Sequence, residues 1–145
     1  MDPISALALA CNVTQLVEQA IEAVGVCREI YERGSLDEND KIEESAEGIA
    51  AANKNLEATL KAQKTTPSSR PTRLQKIVDD SAATTAELKK VLNQLKLSKK
   101  QGNKQTGSAF KTSLRAIFKR GTIESLRRKL EQQDAALRSA ILKDL

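Results

Sequence analysis

The first seventeen residues constrain this chain more than any other segment. They read MDPISALALACNVTQLV and contain one charged side chain, Asp2, although 30% of the whole chain is charged. On a helical wheel, the apolar and small residues of this segment point in every direction, whereas the pattern after Glu18 is amphipathic. A helix whose front half is apolar all round needs either a complete shell of partner helices or a lipid environment.

Composition favours helix along the whole chain. Aromatic residues make up only 2%, and no segment shows the period-two alternation of a β-strand. The core must therefore be built from Leu, Ile, Val and Ala, and a chain of 145 residues fits one domain with one continuous core. We predict an all-α fold, a four- or five-helix bundle with a long apolar N-terminal helix and mostly antiparallel neighbours.

Turn-forming residues and apolar spacing divide the chain into five predicted helices. These cover residues 3–33, 36–63, 72–97, 108–120 and 122–142, and residues 64–71, which contain two prolines, form a linker. Gly121 is expected to separate the last two helices. The segment 81–86, SAATTA, is poor in bulk, and we expect a large residue of another helix to approach it there.

The side chains available for chemistry are few. The chain contains no histidine, which removes the commonest general base, metal ligand and pH switch. Cys11 and Cys27 lie on one predicted helix, roughly 24 Å apart at 1.5 Å per residue, so we expect two buried, reduced thiols, as in a cytosolic protein. The carboxylate pairs Glu43–Glu44 and Asp79–Asp80 look like exposed helix faces. We expect no enzymatic activity, no metal site and no cofactor.

The N-terminus does not have the pattern of a targeting signal. No basic residue occurs before Arg28, whereas a signal peptide begins with a positive region. The uncharged run from Pro3 to Val17 spans about 22 Å as a helix, against about 30 Å of hydrocarbon in a bilayer. Glu18 and Glu22 would be costly at the membrane centre. We expect a segment that inserts conditionally, not a constitutive anchor.

Charge is divided unevenly between the two halves of the chain. Residues 1–63 carry five bases and twelve acids, and residues 64–145 carry nineteen bases and seven acids. One interpretation is that the two halves present solvated faces that attract each other. The other is a basic surface for anionic lipid headgroups, with candidate residues Lys96, Lys99, Lys100, Lys104, Lys111, Arg115, Lys119 and Arg120. Nucleic acid is not an expected partner, because no aromatic side chains interleave with the bases.

Several N-terminal segments carry a family resemblance. Together they resemble the HeLo-like effector domain that begins fungal NLR-like STAND receptors: MDPISALALACNV from Met1, QLVE from Gln15, REIY from Arg28 and Gly34–Ser35. The resemblance is close over the first sixty residues or so and looser beyond them. It implies a cell-death-inducing domain, cytoplasmic before activation and at the plasma membrane afterwards. In a full-length receptor, nucleotide-binding and repeat modules would follow it.

The resemblance also implies a mechanism. The domain self-associates, and its first helix leaves the bundle and enters a bilayer that contains anionic lipid. The residues that match the inserting stretch are Asp2, Ile4, Leu7, Leu9, Val13, Leu16 and Val17. The alternative function is a non-lytic module that associates with copies of itself or with an adaptor. Truncation of residues 1–20 would separate the two, because an adaptor would lose fold and binding together.

Overall fold

The chain folds into an all-α bundle, as the sequence predicts. The computed structural model describes residues 3–33, 38–63, 72–101 and 120–144, with the side chains of residues 4–32, 41–62, 73–94 and 121–143. These residues form four helices: α1 (Pro3–Arg33), α2 (Glu38–Gln63), α3 (Thr72–Gln101) and α4 (Arg120–Asp144). The long apolar N-terminal helix of the prediction is α1.

The helix boundaries agree with the predicted ones at four ends and differ by two to four residues at the other four. α1 occupies residues 3–33, the predicted range, and α3 continues to Gln101, beyond the predicted end at residue 97. α4 includes Gly121 in its first turn and so starts before the predicted residue 122. The predicted separation from a preceding helix stays a prediction, because residues 102–119 lie outside the described residues. A glycine destabilises a helix by about 1 kcal/mol. Burial of Ile123 and Leu126 in the next two turns stabilises the helix by more than this. The predicted linker 64–71 and the predicted helix 108–120, apart from Arg120, lie outside the described residues.

α1 is the central element of the bundle. It contacts each of the other three helices. It runs antiparallel to α2, because Asn12 meets Thr59 whereas Gln19, further along α1, approaches Gly48. The core is built from aliphatic side chains, as composition requires, and its large members outside α1 are Ile42, Ile49, Leu56, Leu74, Ile77, Leu88, Leu92, Ile123, Leu126, Leu130 and Leu137.

A polar contact joins the middle of α3 to α4. Gln133 donates from Nε2 to Thr84 Oγ1 at 3.0 Å and to the Asp80 carbonyl oxygen at 3.3 Å. This confirms that a large residue of another helix approaches the segment 81–86. In the same segment Ser81 Oγ and Thr85 Oγ1 are buried without a hydrogen-bond partner. An unmet buried hydroxyl costs about 1–3 kcal/mol, so this stretch of α3 is not optimised for stability alone.

Candidate functional site

The front half of α1 has two apolar faces, one buried and one exposed. Leu9, Val13, Leu16 and Val17 are fully buried. Ile4, by contrast, is 79% exposed and Leu7 is 44% exposed. Ala8 and Cys11 are exposed as well, and the positions 4, 7, 8 and 11 lie on one side of a helix. We call these four residues the apolar stripe.

The apolar stripe ends where the exposed face of α1 becomes acidic. Gln15, Glu18 and Glu22 continue the same line of exposed positions along the helix. The exposed face is therefore apolar over its first turns and acidic from Glu18 onward. An exposed apolar patch that adjoins polar residues is typical of surfaces that meet another protein or a membrane.

The two cysteines lie in opposite environments. Cys27 is buried, as expected, and burial raises the pKa of its thiol from 9.0 to about 12. Such a thiol stays protonated near neutral pH and is chemically inert. Cys11 is exposed on the apolar stripe, so the prediction that both thiols are buried was wrong. In an apolar segment the sequence cannot distinguish the buried side from the exposed one, and Cys11 falls on the exposed side.

Polar side chains tie the two halves of α1 to different helices. In the front half, Asn12 donates from Nδ2 to Thr59 Oγ1 of α2. In the back half, Arg28 lies 3.4 Å from Glu124 of α4 and 3.5 Å from Glu32. The sequence analysis missed the Asn12–Thr59 pair. The sequence shows Asn12 as a polar residue between apolar neighbours on a helix. This pattern identifies neither its hydrogen-bond partner nor the helix that carries the partner.

α1 is long and apolar enough to cross a membrane by length and composition, a criterion that the core helix of a soluble bundle also meets. The expectation that it is too short counted only the uncharged residues 3–17. The stretch from Ile4 to Ile21 contains one charged residue, Glu18, and extends about 27 Å as a helix. This length approaches the hydrocarbon thickness of about 30 Å.

The predicted basic patch falls largely outside the described residues. α3 includes Lys96, Lys99 and Lys100, and α4 begins at Arg120, but the side chains of these four residues are not among those that the structure describes. The remaining predicted site residues outside the described segments are Asp2, Lys104, Lys111, Arg115 and Lys119. The patch therefore remains a prediction.

The described segments contain no group of three or more His, Cys, Asp or Glu side chains arranged to hold a metal ion. Comparison with protein-family models, with curated proteins and with solved structures finds no match for this chain. The resemblance to HeLo-like domains therefore rests on the N-terminal segments quoted above. The functional argument has to come from the geometry of α1.

Proposed function

We propose that this chain is a membrane-targeting effector domain that induces cell death by self-association and insertion of α1. In this proposal the domain is cytoplasmic until activation and then moves to the plasma membrane. The observation that carries the proposal is the apolar stripe. Its large members, Ile4 and Leu7, are exposed while the opposite face of the same turns is fully buried. The protein can thus present apolar side chains to a lipid surface before any part of the bundle opens.

The first step is reversible docking through the apolar stripe. Full burial of a Leu or Ile side chain stabilises by about 1.5–3 kcal/mol, and Leu7 is already half covered. The two side chains together therefore contribute about 2–4 kcal/mol of binding free energy, which corresponds to a dissociation constant near 1 mM or weaker. One domain would bind and leave quickly. Self-association changes this, because several linked stripes bind far more strongly than one.

The second step is insertion of the front half of α1. Leu9, Val13, Leu16 and Val17 exchange their neighbours in the core for acyl chains, which are equally apolar. The Thr14 hydroxyl already donates to the Ala10 carbonyl oxygen at 2.8 Å, so it enters the lipid with its hydrogen bond intact. Several short helices together thin the bilayer, and Glu18 then stays near the headgroups.

Dye release from vesicles that contain anionic lipid tests the proposal. The test variant is Ile4→Glu/Leu7→Glu, which adds two charges on the apolar stripe without touching the core. The matched control is Asn55→Asp/Ala62→Glu, which adds the same charge at exposed positions of α2. A charged variant at Leu9 would be unsuitable, because that side chain is fully buried and an unpaired charge there would destabilise the whole bundle.

We expect chemically cross-linked wild-type protein and the control to release the dye and the stripe variant to lose at least most of this activity. Far-UV circular dichroism should show all three folded. Release by the stripe variant at the wild-type level would overturn the proposed role of the stripe. Self-association of the wild type without release from any vesicle would instead favour the adaptor function, in which the stripe contacts protein.

A further inference from the structure

A groove between α1 and α2 is acidic, and its carboxylates are unpaired. Its volume is about 380 Å³, which leaves room for long side chains of a partner. Glu22 and Glu29 of α1 and Glu44 of α2 line it, and among the described residues none of the three has a base within salt-bridge distance. Lys41 also lines the groove, but it already has an interaction of its own. We call this surface the acidic groove, and unpaired carboxylates around a concave surface concentrate negative potential there.

The acidic side chains of α4 are already neutralised. Each one that the structure describes lies in an ion pair: Glu124 with Arg28 at 3.4 Å, Glu131 with Arg127 at 3.1 Å and Asp134 with Arg138 at 3.2 Å. The charge that α4 presents to a partner therefore comes from its remaining bases.

These remaining bases form an exposed ridge. Arg128, Lys129 and Lys143 are exposed, and no described carboxylate lies within salt-bridge distance of them. Arg128 shares one side of the helix with Ala135 and Leu142, and Leu142 is 85% exposed. The outer face of α4 thus offers apolar contact beside its charges. We call the three bases and Leu142 the basic ridge.

The acidic groove and the basic ridge lie on different sides of the bundle. α2 packs against α1 and α3, and α4 packs against the same two helices, so α2 and α4 occupy opposite corners. One copy of the chain can therefore use both surfaces at once, each with a different neighbour. A contact between two different surfaces repeats from copy to copy, and it forms a ring where the rotation closes.

We propose that the basic ridge of one copy docks into the acidic groove of a second copy of this chain. The opposite charges attract the two copies and fix their relative orientation, because any other pairing of these surfaces brings like charges together. The proposal rests on the self-association in the proposed function and names the two surfaces that carry it. Each copy brings one apolar stripe, and a ring presents all of its stripes to the same side, as multivalent docking requires.

Sedimentation velocity of the full chain without lipid tests the interface by charge reversal. Glu22→Lys/Glu44→Lys reverses the acidic groove, and Arg128→Glu/Lys129→Glu reverses the basic ridge, all at exposed positions. We expect the wild type to self-associate, with a dissociation constant that rises at least about tenfold between about 0.05 M and about 0.5 M salt. Each variant alone should associate at least about tenfold more weakly than the wild type. An equimolar mixture of the two should restore association, because each reversed surface then meets one of opposite charge.

Charge-matched controls separate the two surfaces from net charge. Glu57→Lys/Glu87→Lys and Lys54→Glu/Lys90→Glu make the same charge changes at exposed positions outside the acidic groove and the basic ridge. We expect both controls to associate like the wild type. Equal losses in controls and test variants, no rescue by the mixture, or a wild type that stays monomeric at low salt would overturn the interface. Dye release by chemically cross-linked protein does not depend on which surfaces join the copies, so that assay reports on the membrane proposal separately.

Discussion

Replacement of Leu9 and of Leu7 by alanine tests whether the front half of α1 is stowed in the bundle. The two leucines lie two positions apart on one helix, yet Leu9 is fully buried and Leu7 is 44% exposed. Leu→Ala changes intrinsic helix propensity by the same small amount at both positions. The difference between the two variants therefore isolates the burial of the Leu9 side chain.

The expected magnitudes differ by several-fold. A buried Leu→Ala change costs about 2.7–5 kcal/mol, because a cavity adds to the lost transfer free energy. At Leu7 the side chain is half in water and leaves no enclosed cavity, so we expect a cost of about 1 kcal/mol or less. Since a domain of this size is stable by about 5–15 kcal/mol, Leu9→Ala removes a substantial share of the free energy of unfolding.

Urea denaturation followed by circular dichroism measures both variants. With a slope of about 1–3 kcal/mol per molar urea, Leu9→Ala should lower the midpoint by roughly 1–5 M, and Leu7→Ala should lower it by about 1 M or less. The slope itself should not change. Midpoints within about 0.3 M of each other would mean that Leu9 is not enclosed by the other helices. That result would refute the packing on which the buried face of α1 depends.

Three further predictions follow from the contacts of α1. A thiol reagent should modify Cys11 rapidly in the folded protein and Cys27 only on unfolding, and Cys11→Ser should abolish the rapid phase. Burial raises the pKa of the Cys27 thiol from 9.0 to about 12, so its contribution to stability is complete below pH 9 and is lost as the pH rises toward 12. Between these pH values, the free energy of unfolding of the wild type should fall more steeply than that of Cys27→Ala. The expected difference in slope is about 1 kcal/mol per pH unit. A double-mutant cycle of Asn12→Ala with Thr59→Val should give a coupling energy of about 0.5–1.5 kcal/mol, and additive costs would show that their hydrogen bond contributes nothing.

The helices were predictable because helix termini and apolar spacing are local properties. Pro3 at the start and the change of composition before Gly34 locate α1 without reference to any other part of the chain. The helical conformation of Gly121 was not predictable in this way. Gly121 argues locally for a break, but burial of Ile123 against other helices outweighs it. Tertiary packing supports a helical conformation at Gly121, and packing is absent from a local pattern.

The candidate sites were predictable only in part, for a related reason. The apolar character of residues 4–17 is plain in the sequence. Because the segment is apolar on every side, however, its pattern does not indicate which side faces the core. Only the placement of α2, α3 and α4 decides that Leu9 is inside and that Ile4 and Cys11 are outside. One groove between α3 and α4 is lined by Lys76 and Lys129, and no spacing in one sequence connects such distant residues.

The energetics of the buried face decide the order of events in the proposed mechanism. Release of the front half of α1 into water would expose Leu9, Val13, Leu16 and Val17, at about 1.5–3 kcal/mol each. The total, roughly 6–12 kcal/mol, matches the expected stability of the whole domain and corresponds to a released population below about one in ten thousand. Spontaneous release is therefore too rare to start insertion. A bilayer that receives these side chains as they leave the core removes most of the cost, because lipid and core are equally apolar. Docking must accordingly come first, and Ile4 and Leu7 allow it, since both side chains are accessible while the bundle remains closed.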